Sequence, residues 1–490
     1  MLLKTTRTLC PVCGKAIAAE IVEEDGQVLL LRTCPDHGSF RDLYWSDAAL
    51  YRRFDKFESV GSGLENPHRA ALPEGCPSSC GVCGNHRSGT LLANIDLTNR
   101  CNLTCDFCFV NAKACGYVYE PTFDQVVDML TLLRGEKPVP TPAVQFSGGE
   151  PTLCEDLIEI IGKAKELGFK QVQIATNGVK IARDPAYAKA LKEAGLSTVY
   201  LHFDGVTKET DPQIEKHRQA VKVLDEAHLG VVLVPTIIRG RNDHEVGDII
   251  RFAVEHISVV RGVNFQPVAF TGAASDDDVR NARITIPDLL ERIEAQTGGV
   301  IRKDDFYPVP CVVPISDLVE AYTGKPQVRF TAHQHCGAAT YVFVNKDGLV
   351  PINRMVDVDR FFTSVKKMAE NLRKGGQINK YLTLLEGINT IRTSVNTGDI
   401  EGAPKIWKIL ADALLFQSYD SLRDFHWNSL FIGTMHFMDR YNYDISRVQR
   451  CCIHYATPEG RVIPFCTYNS GPVYRDQIWR KHSRPLRKGD

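Results

Sequence analysis

The sequence is short of several things, and each shortage excludes a class of function. Neither sign of charge dominates its 490 residues: Lys+Arg number 58 and Asp+Glu 59, for a formal net charge of −1. A near-neutral chain offers no broad basic field to a polyanion, so nucleic acid is not an expected partner. The N-terminal stretch MLLKTTRTLCPVCG contains no apolar run long enough for an export signal. No later stretch approaches the roughly 20 apolar residues of a membrane span, and the expected location is cytoplasmic. Hydrolytic signatures are missing too, since neither Gly-x-Ser-x-Gly nor His-Glu-x-x-His occurs. No Gly-x-Gly-x-x-Gly follows the first strand of the central region, which argues against a dinucleotide site.

Cysteine, by contrast, is plentiful at 16 residues. In a chain with no export signal these thiols are poor material for disulfides, because the cytosol keeps them reduced, and metal is the default explanation. They fall into groups: Cys10, Cys13 and Cys34; Cys76, Cys80 and Cys83; Cys101, Cys105 and Cys108; then Cys311, Cys336, Cys451, Cys452 and Cys466. Cys115 and Cys154 stand outside and are given no role.

The length is too great for one ordinary core and predicts a central catalytic region with smaller additions. In residues 1–57, Cys10-x2-Cys13 and Cys34-x2-His37 flank two short strands, AAEIVE and QVLLLRT, joined by an Asp-Gly turn. Two ligand pairs on facing turns enclose one tetrahedral ion. The spacing predicts a zinc-ribbon or rubredoxin-like knuckle holding one zinc or one iron in a structural role. Residues 58–89 read as a polar, Gly- and Pro-bearing linker that carries the Cys76 group.

Over residues 90–300 short apolar strands alternate with amphipathic helices. LLANIDL, AVQFSGG, QVQIAT, TVYLHFDG, GVVLVPTII and GVNFQPVAF are separated by helical patterns at 122–134, 155–167, 184–194, 212–228 and 244–256. This predicts an α/β fold with a parallel sheet, doubly wound or a partial barrel, with functional loops at the strands' C-terminal ends. Residues 301–490 read as a Cys-rich α+β region. CGAATYVFVNKDGLVPI and CCIHYATPEGRVIPFC share a Cys, strand, turn, strand, Pro pattern suggestive of two cluster-binding hairpins, with a helical region expected from about 364 to 445 between them. The aromatic-rich stretch 412–445 is read as core, or as the wall of an apolar channel.

The spacing Cys-x3-Cys-x2-Cys occurs twice, as CPSSCGVC from Cys76 and CNLTCDFC from Cys101. Three cysteines leave one iron of a four-iron cluster without a protein ligand, where a small molecule can bind. The second copy directly follows the first strand of the central region and has the aromatic Phe107 before its last cysteine. Here the sequence resembles the radical S-adenosylmethionine (SAM) superfamily, over roughly residues 90 to 270. The resemblance implies a partial (β/α)6 barrel, a [4Fe-4S] cluster on Cys101, Cys105 and Cys108, and a low-potential electron donor. It also implies a 5′-deoxyadenosyl radical able to abstract hydrogen from unactivated carbon. In FSGGEP, Gly148, Gly149 and Glu150 match the loop that holds the SAM amino group. Thr176 and Asn177 in ATNG, Asp204 in HFDG and Gln266 in NFQPVAF match further cofactor-binding positions. Removing the knuckle and this cluster leaves Cys76, Cys80, Cys83, Cys311, Cys336, Cys451, Cys452 and Cys466, eight thiols that suffice for two auxiliary [4Fe-4S] clusters.

The full layout is most similar to the tetraether lipid synthase family, whose members join the isoprenoid chain ends of diether lipids. That resemblance implies a long-chain lipid substrate and docking at the bilayer surface, with no strongly basic amphipathic helix to advertise it. Proteins of this layout are also assigned as dihydropterin methylases, which would make the substrate a pterin. A SPASM-type peptide maturase, resembled by GRVIPFC, is a third reading, and an electron-transfer scaffold is the non-enzyme alternative.

Overall fold

The computed structural model describes residues 1–70, 76–105, 107–108, 116–271, 279, 281–345, 348–375, 386–387, 389–390, 392–395, 429–470 and 474–486. The chain opens with an antiparallel sheet in which β1 (Leu2–Leu9), β2 (Ala16–Glu24), β3 (Gln27–Cys34) and β4 (Gly38–Trp45) pair in sequence order. The turn between β2 and β3 places Asp25 and Gly26 at φ 49° and 75°, the left-handed pair of a tight hairpin that Asp-Gly favours. A helix at Ala48–Asp55, capped by the Asp47 side chain, buries Tyr51 and Phe54 against Trp45.

The expected strand and helix alternation follows. β5 (Leu92–Thr98) leads into the cysteine loop, and β6 (Tyr117–Tyr119) lies outside the main sheet. β7 (Ala143–Gly148), β8 (Gln171–Thr176), β9 (Thr198–His202) and β10 (Gly230–Val234) follow, separated by helices that include Leu157–Glu166, Pro185–Glu193 and Ile214–Glu226. The short β11 (Thr236–Ile237) and the helix Val246–Glu255 precede β12 (Val260–Pro267). β5, β7, β8, β9, β10 and β12 are hydrogen-bonded neighbours, all parallel.

Residues beyond 300 extend this sheet at both edges. They supply β13 (Tyr307–Pro308), β14 (Gly337–Asn345), β15 (Gly348–Pro351), β16 (Ser429–Met435), β17 (Ile453–Ala456) and β18 (Val462–Pro464), while β19 (Ser483–Pro485) pairs with β6. β16 runs parallel to β12 and β17 parallel to β5, so the parallel row reads β17-β5-β7-β8-β9-β10-β12-β16. The two Cys-bearing segments form antiparallel hairpins, β14 with β15 and β17 with β18, toward opposite edges. One expectation is corrected: Ser429–Met435 is a strand inside the stretch read as helical. A short apolar run such as SLFIGTM carries no period that separates strand from helix, and only its pairing with β12 and β14 decides the matter.

Successive side chains on a strand point to opposite faces. Ile95, Phe146, Ile174, Val199, Leu201 and Leu233 are buried in the largest apolar cluster together with residues of the surrounding helices. The alternate positions carry Asn94, Asp96, Gln145, Ser147, Gln173, Ala175, Tyr200 and His202 on β5 to β9, Val232 and Val234 on β10, and Asn264 and Gln266 on β12, so the inner face is polar except along β10. A parallel sheet packed on both faces is usually apolar on both. Here the inner face, the lumen side of the sheet, is polar on most of its strands. Among the described residues no helix is long and apolar enough to cross a membrane.

Candidate active site at the mouth of the barrel

Three loops meet where the parallel strands end. The first leaves β5 and carries Cys101, Cys105 and Cys108, of which Cys105 is exposed and the other two half-buried. The second leaves β7. Its Gly149 N–H donates to Thr98 O at 2.7 Å and its Glu150 N–H to Arg100 O at 2.8 Å, so it lies directly on the backbone that enters Cys101. A Cβ on Gly149 would overlap Arg100 O, and one on Gly148, which sits at φ 131°, would overlap Thr98 O. Both glycines are therefore dictated by backbone-to-backbone approach.

Glu150 locks the second loop to the third. Its buried Oε1 accepts from Thr152 N–H at 3.1 Å, from the Thr152 hydroxyl at 2.6 Å and from the Thr176 hydroxyl at 2.6 Å. Its Oε2 accepts from Asn177 N–H at 2.8 Å. Burial pushes the Glu150 carboxyl up, and these hydrogen bonds oppose the shift. Asn177 completes the junction by donating its side-chain amide to Asn102 Oδ1 at 2.7 Å, inside the cysteine loop. The structure thus brings Gly148, Gly149, Glu150, Thr176 and Asn177 together against the loop of Cys101. A thiol triad on an open rim loop, backed by carboxylate and amide groups, fits a three-cysteine cluster with a polar ligand on its free iron.

Across the mouth, Asp204 Oδ1 accepts from Thr236 N–H at 2.8 Å, and Thr236 pairs with Gln266 between β11 and β12. Asp204 and Gln266 therefore share one rim segment. Phe107 lies under the Arg241 guanidinium, with the cation 5.0 Å from the ring centroid. His202, a site residue not predicted from the sequence, holds Asp204 Oδ2 at 3.2 Å. Burial works against its charged form, but the Asp204 carboxylate, with smaller contributions from Asp211 and Cys108, pushes it up to about 9. A raised histidine stabilises the fold fully below its ordinary value of about 6.5. That contribution is lost as pH rises through about 9. Asp204→Asn is expected to lower the His202 titration by at least roughly one pH unit in an NMR series, and to flatten thermal stability over that window.

The N-terminal ligands converge as expected. The ligand atoms of Cys10, Cys13, Cys34 and His37 all lie within 4.8 Å of one another, including Cys13 Sγ to Cys34 Sγ at 4.0 Å and Cys34 Sγ to His37 Nδ1 at 3.5 Å. Two thiols are buried and the set is complete at four, which fits a closed structural ion. Cys34→Ala is expected to remove one metal equivalent per chain in elemental analysis and to lower the melting temperature, because metal binding contributes folding free energy.

The remaining cysteines separate into three places. Cys76, Cys80 and Cys83 line one small cavity, whose loop is held by Tyr474, which accepts from Cys80 N–H at 3.0 Å and donates to Pro77 O at 2.7 Å. Cys336, Cys451, Cys452 and Cys466 form a second group. Burial pushes Cys451 and Cys452 up to about 12, and Cys336 adds to both. Cys466 is raised by burial and then by Cys451 and Cys336. Arg447, itself buried, donates to Cys336 Sγ at 3.3 Å. Cys311 stands apart: burial and the Asp359 charge raise it to about 12, and it joins neither group. Cys154 is half-buried, whereas Cys115 and residues 412–428 of the aromatic stretch lie outside the described residues.

Also absent from the sequence-level site is the floor of the lumen. Gln173 Nε2 donates to Gln145 Oε1 at 2.8 Å and Gln145 Nε2 to Asn94 Oδ1 at 2.8 Å, one amide from each of three adjacent strands. Above this row Asp96 accepts from Ser147 at 2.9 Å and from Tyr468 at 3.1 Å. The available signal was the alternation of amides with apolar residues in ANIDL, VQF and VQI.

Known proteins resemble this chain in sequence. Residues 95–253 match the model of the radical SAM superfamily, and residues 2–46 match the HMPTM N-terminal zinc ribbon domain. The 7,8-dihydro-6-hydroxymethylpterin dimethyltransferase of Methanocaldococcus jannaschii is 48% identical over 501 aligned positions, covering 99% of this chain and 96% of the relative. The GTP 3′,8-cyclase of Clostridium acetobutylicum is 33% identical over 204 positions, covering 40% of this chain and 61% of that protein. Among solved structures, methylornithine synthase is matched over 44% of this chain and 64% of its own, at 16% identity and a TM-score of 0.33. The chain is a radical SAM enzyme and belongs to the family of the Methanocaldococcus jannaschii 7,8-dihydro-6-hydroxymethylpterin dimethyltransferase.

Proposed function

We propose that this protein alkylates a dihydropterin ring by radical SAM chemistry, and the observation that carries the reading is the polar inner face of β5, β7, β8 and β9, the strands that lead into the cysteine loop and the segments of Glu150, Asn177 and Asp204. A pterin presents ring nitrogens, an amide and an amine along its edges. The row of Asn94, Gln145 and Gln173 retains unused donors and acceptors, because each amide has four hydrogen-bonding positions. Asn94 and Gln173 are buried and Gln145 is half-buried, and an isoprenoid chain end seated against Gln145 would leave its remaining hydrogen-bonding positions unsatisfied, at about 1–3 kcal/mol for each. The pterin dimethyltransferase that shares 48% of this sequence supports the same substrate class.

A reduced cluster held by Cys101, Cys105 and Cys108 would supply the one-electron cleavage of SAM and, through it, hydrogen abstraction from an unactivated substrate carbon. The chain's own residues do the positioning. Cys101, Cys105 and Cys108 would hold the cluster, Gly148 and Gly149 fix the approach of the second loop, and Glu150, Thr176 and Asn177 keep the SAM-facing rim rigid. His202, charged at neutral pH beside Asp204, presents a cation and a hydrogen-bond donor to the mouth. In the same reading, Cys76, Cys80 and Cys83 hold one auxiliary cluster and the Cys336, Cys451, Cys452 and Cys466 group a second.

The test is an anaerobic incubation with SAM, a strong reductant and either 6-hydroxymethyl-7,8-dihydropterin or a diether phospholipid, followed by mass spectrometry. A pterin heavier by one or two CH2 units, with deoxyadenosine formed in step, is the expected result. Coupled lipid lighter by two hydrogens per new bond, with the pterin unchanged, would overturn the proposal in favour of lipid joining.

A further inference from the structure

We infer that His86 supplies the fourth protein ligand, through Nδ1, to the iron–sulfur cluster of Cys76, Cys80 and Cys83. This rests on the auxiliary-cluster reading above and identifies what completes it. The cysteine count left the partner open. Of the other five thiols, Cys466 packs in the same apolar cluster as Cys80 and Cys76, but none of Cys311, Cys336, Cys451, Cys452 and Cys466 lines the cavity of Cys76, Cys80 and Cys83. The Cys76 group is therefore one ligand short.

His86 lines the same cavity as the three thiols. It is 5% exposed, and its backbone N–H donates to Cys83 O at 2.8 Å, which ties it to the last cysteine of the motif. Its tautomer follows from a chain of hydrogen bonds that begins at the buried carboxylate of Glu136. A carboxylate only accepts, so the Thr90 hydroxyl donates to Glu136 Oε1 at 2.8 Å. The Thr90 oxygen is then free to accept from His454 Nδ1–H at 3.0 Å. A neutral imidazole with its proton on Nδ1 offers a lone pair at Nε2. Into that lone pair His86 Nε2–H donates at 3.1 Å, sharing the same proton with Cys451 O at 2.8 Å. His86 is left with an unprotonated Nδ1 that makes no hydrogen bond to the described residues, on a residue that lines the cavity of the three thiols. A metal-binding histidine characteristically donates its other ring N–H to a carbonyl or carboxylate relay, which sets both tautomer and ring orientation. His86, His454, Thr90 and Glu136 form such a relay.

The experiment uses the full chain, reconstituted anaerobically and grown with 15N-histidine. The reduced protein is read by pulsed electron paramagnetic resonance. A strongly coupled histidine 15N is expected, and it should vanish in His86→Cys while iron per chain stays unchanged, since the new thiolate keeps the cluster. That variant should also shift the cluster's reduction potential to more negative values, because an anionic thiolate replaces a neutral imidazole. A spectrum of the unsubstituted protein without coupled 15N overturns the assignment without any variant, as does a coupling that survives in His86→Cys. Replacing Cys76, Cys80 and Cys83 together by Ala tests the underlying reading separately. Iron should fall by about four per chain, and an unchanged iron content would remove the cluster rather than its fourth ligand.

Discussion

Replacing Cys101, Cys105 and Cys108 together by Ala is expected to abolish the formation of 5′-deoxyadenosine from SAM, while the protein still folds and keeps its other metal. About four irons per chain should be lost, and the paramagnetic signal that responds to added SAM should disappear. The fold survives because these thiols sit on a rim loop, half-buried or exposed, outside the apolar clusters that hold the sheet together. The same substitution at Cys76, Cys80 and Cys83 is expected to leave the SAM-responsive signal in place. Cys80 and the partly buried Cys76 belong to an apolar cluster with Tyr443, Tyr455, Ile463 and Tyr468 that keeps water away, whereas a SAM site must open to solvent. The opposite outcome, with SAM perturbing only the cluster of Cys76, Cys80 and Cys83, would show that the two copies of the motif have been assigned the wrong way round.

Glu150→Ala is expected to be the most destabilising single change at the mouth. It leaves four buried donors without an acceptor: Thr152 N–H, the Thr152 and Thr176 hydroxyls and Asn177 N–H. Each costs about 1–3 kcal/mol when orphaned, and partial relaxation brings the sum to roughly 4 kcal/mol or more. Against a typical domain stability of about 5–15 kcal/mol this is a large loss, measurable as a lowered denaturation midpoint. Glu150→Gln separates two roles for the carboxylate. The amide keeps one acceptor but turns an NH2 toward a backbone N–H, so a purely structural Glu150 predicts an intermediate loss of stability together with weaker SAM binding. If Glu150→Gln leaves stability unchanged and SAM affinity falls tenfold or more, the carboxylate acts directly on the SAM amino group. Oε2 accepts one bond, from Asn177 N–H, and retains a lone pair for that contact.

Local pattern determined a large part of this protein. The alternation of apolar strands with amphipathic helices located β5, β7, β8, β9, β10 and β12, because a buried strand and a half-buried helix impose different periods on their own residues. The knuckle was legible for a similar reason: paired Cys and His ligands across an Asp-Gly hairpin leave little freedom in where four ligand atoms can meet. The two Cys-bearing hairpins after residue 300 were also visible as strand, turn and strand.

What the sequence could not determine depends on partners distant along the chain. Nothing in SLFIGTM or IHYA says that these strands add to opposite edges of a sheet begun at Leu92, because pairing is decided by the exposed edge each strand finds. The polar row needed the register that sets Asn94 opposite Gln145 and Gln145 opposite Gln173 on adjacent strands. The separation of Cys311 from the cavity of Cys76, Cys80 and Cys83 was decided by tertiary packing for the same reason. Chain proximity sets His86 beside Cys83, whereas its ring is oriented through His454, Thr90 and Glu136, which come from separate parts of the chain.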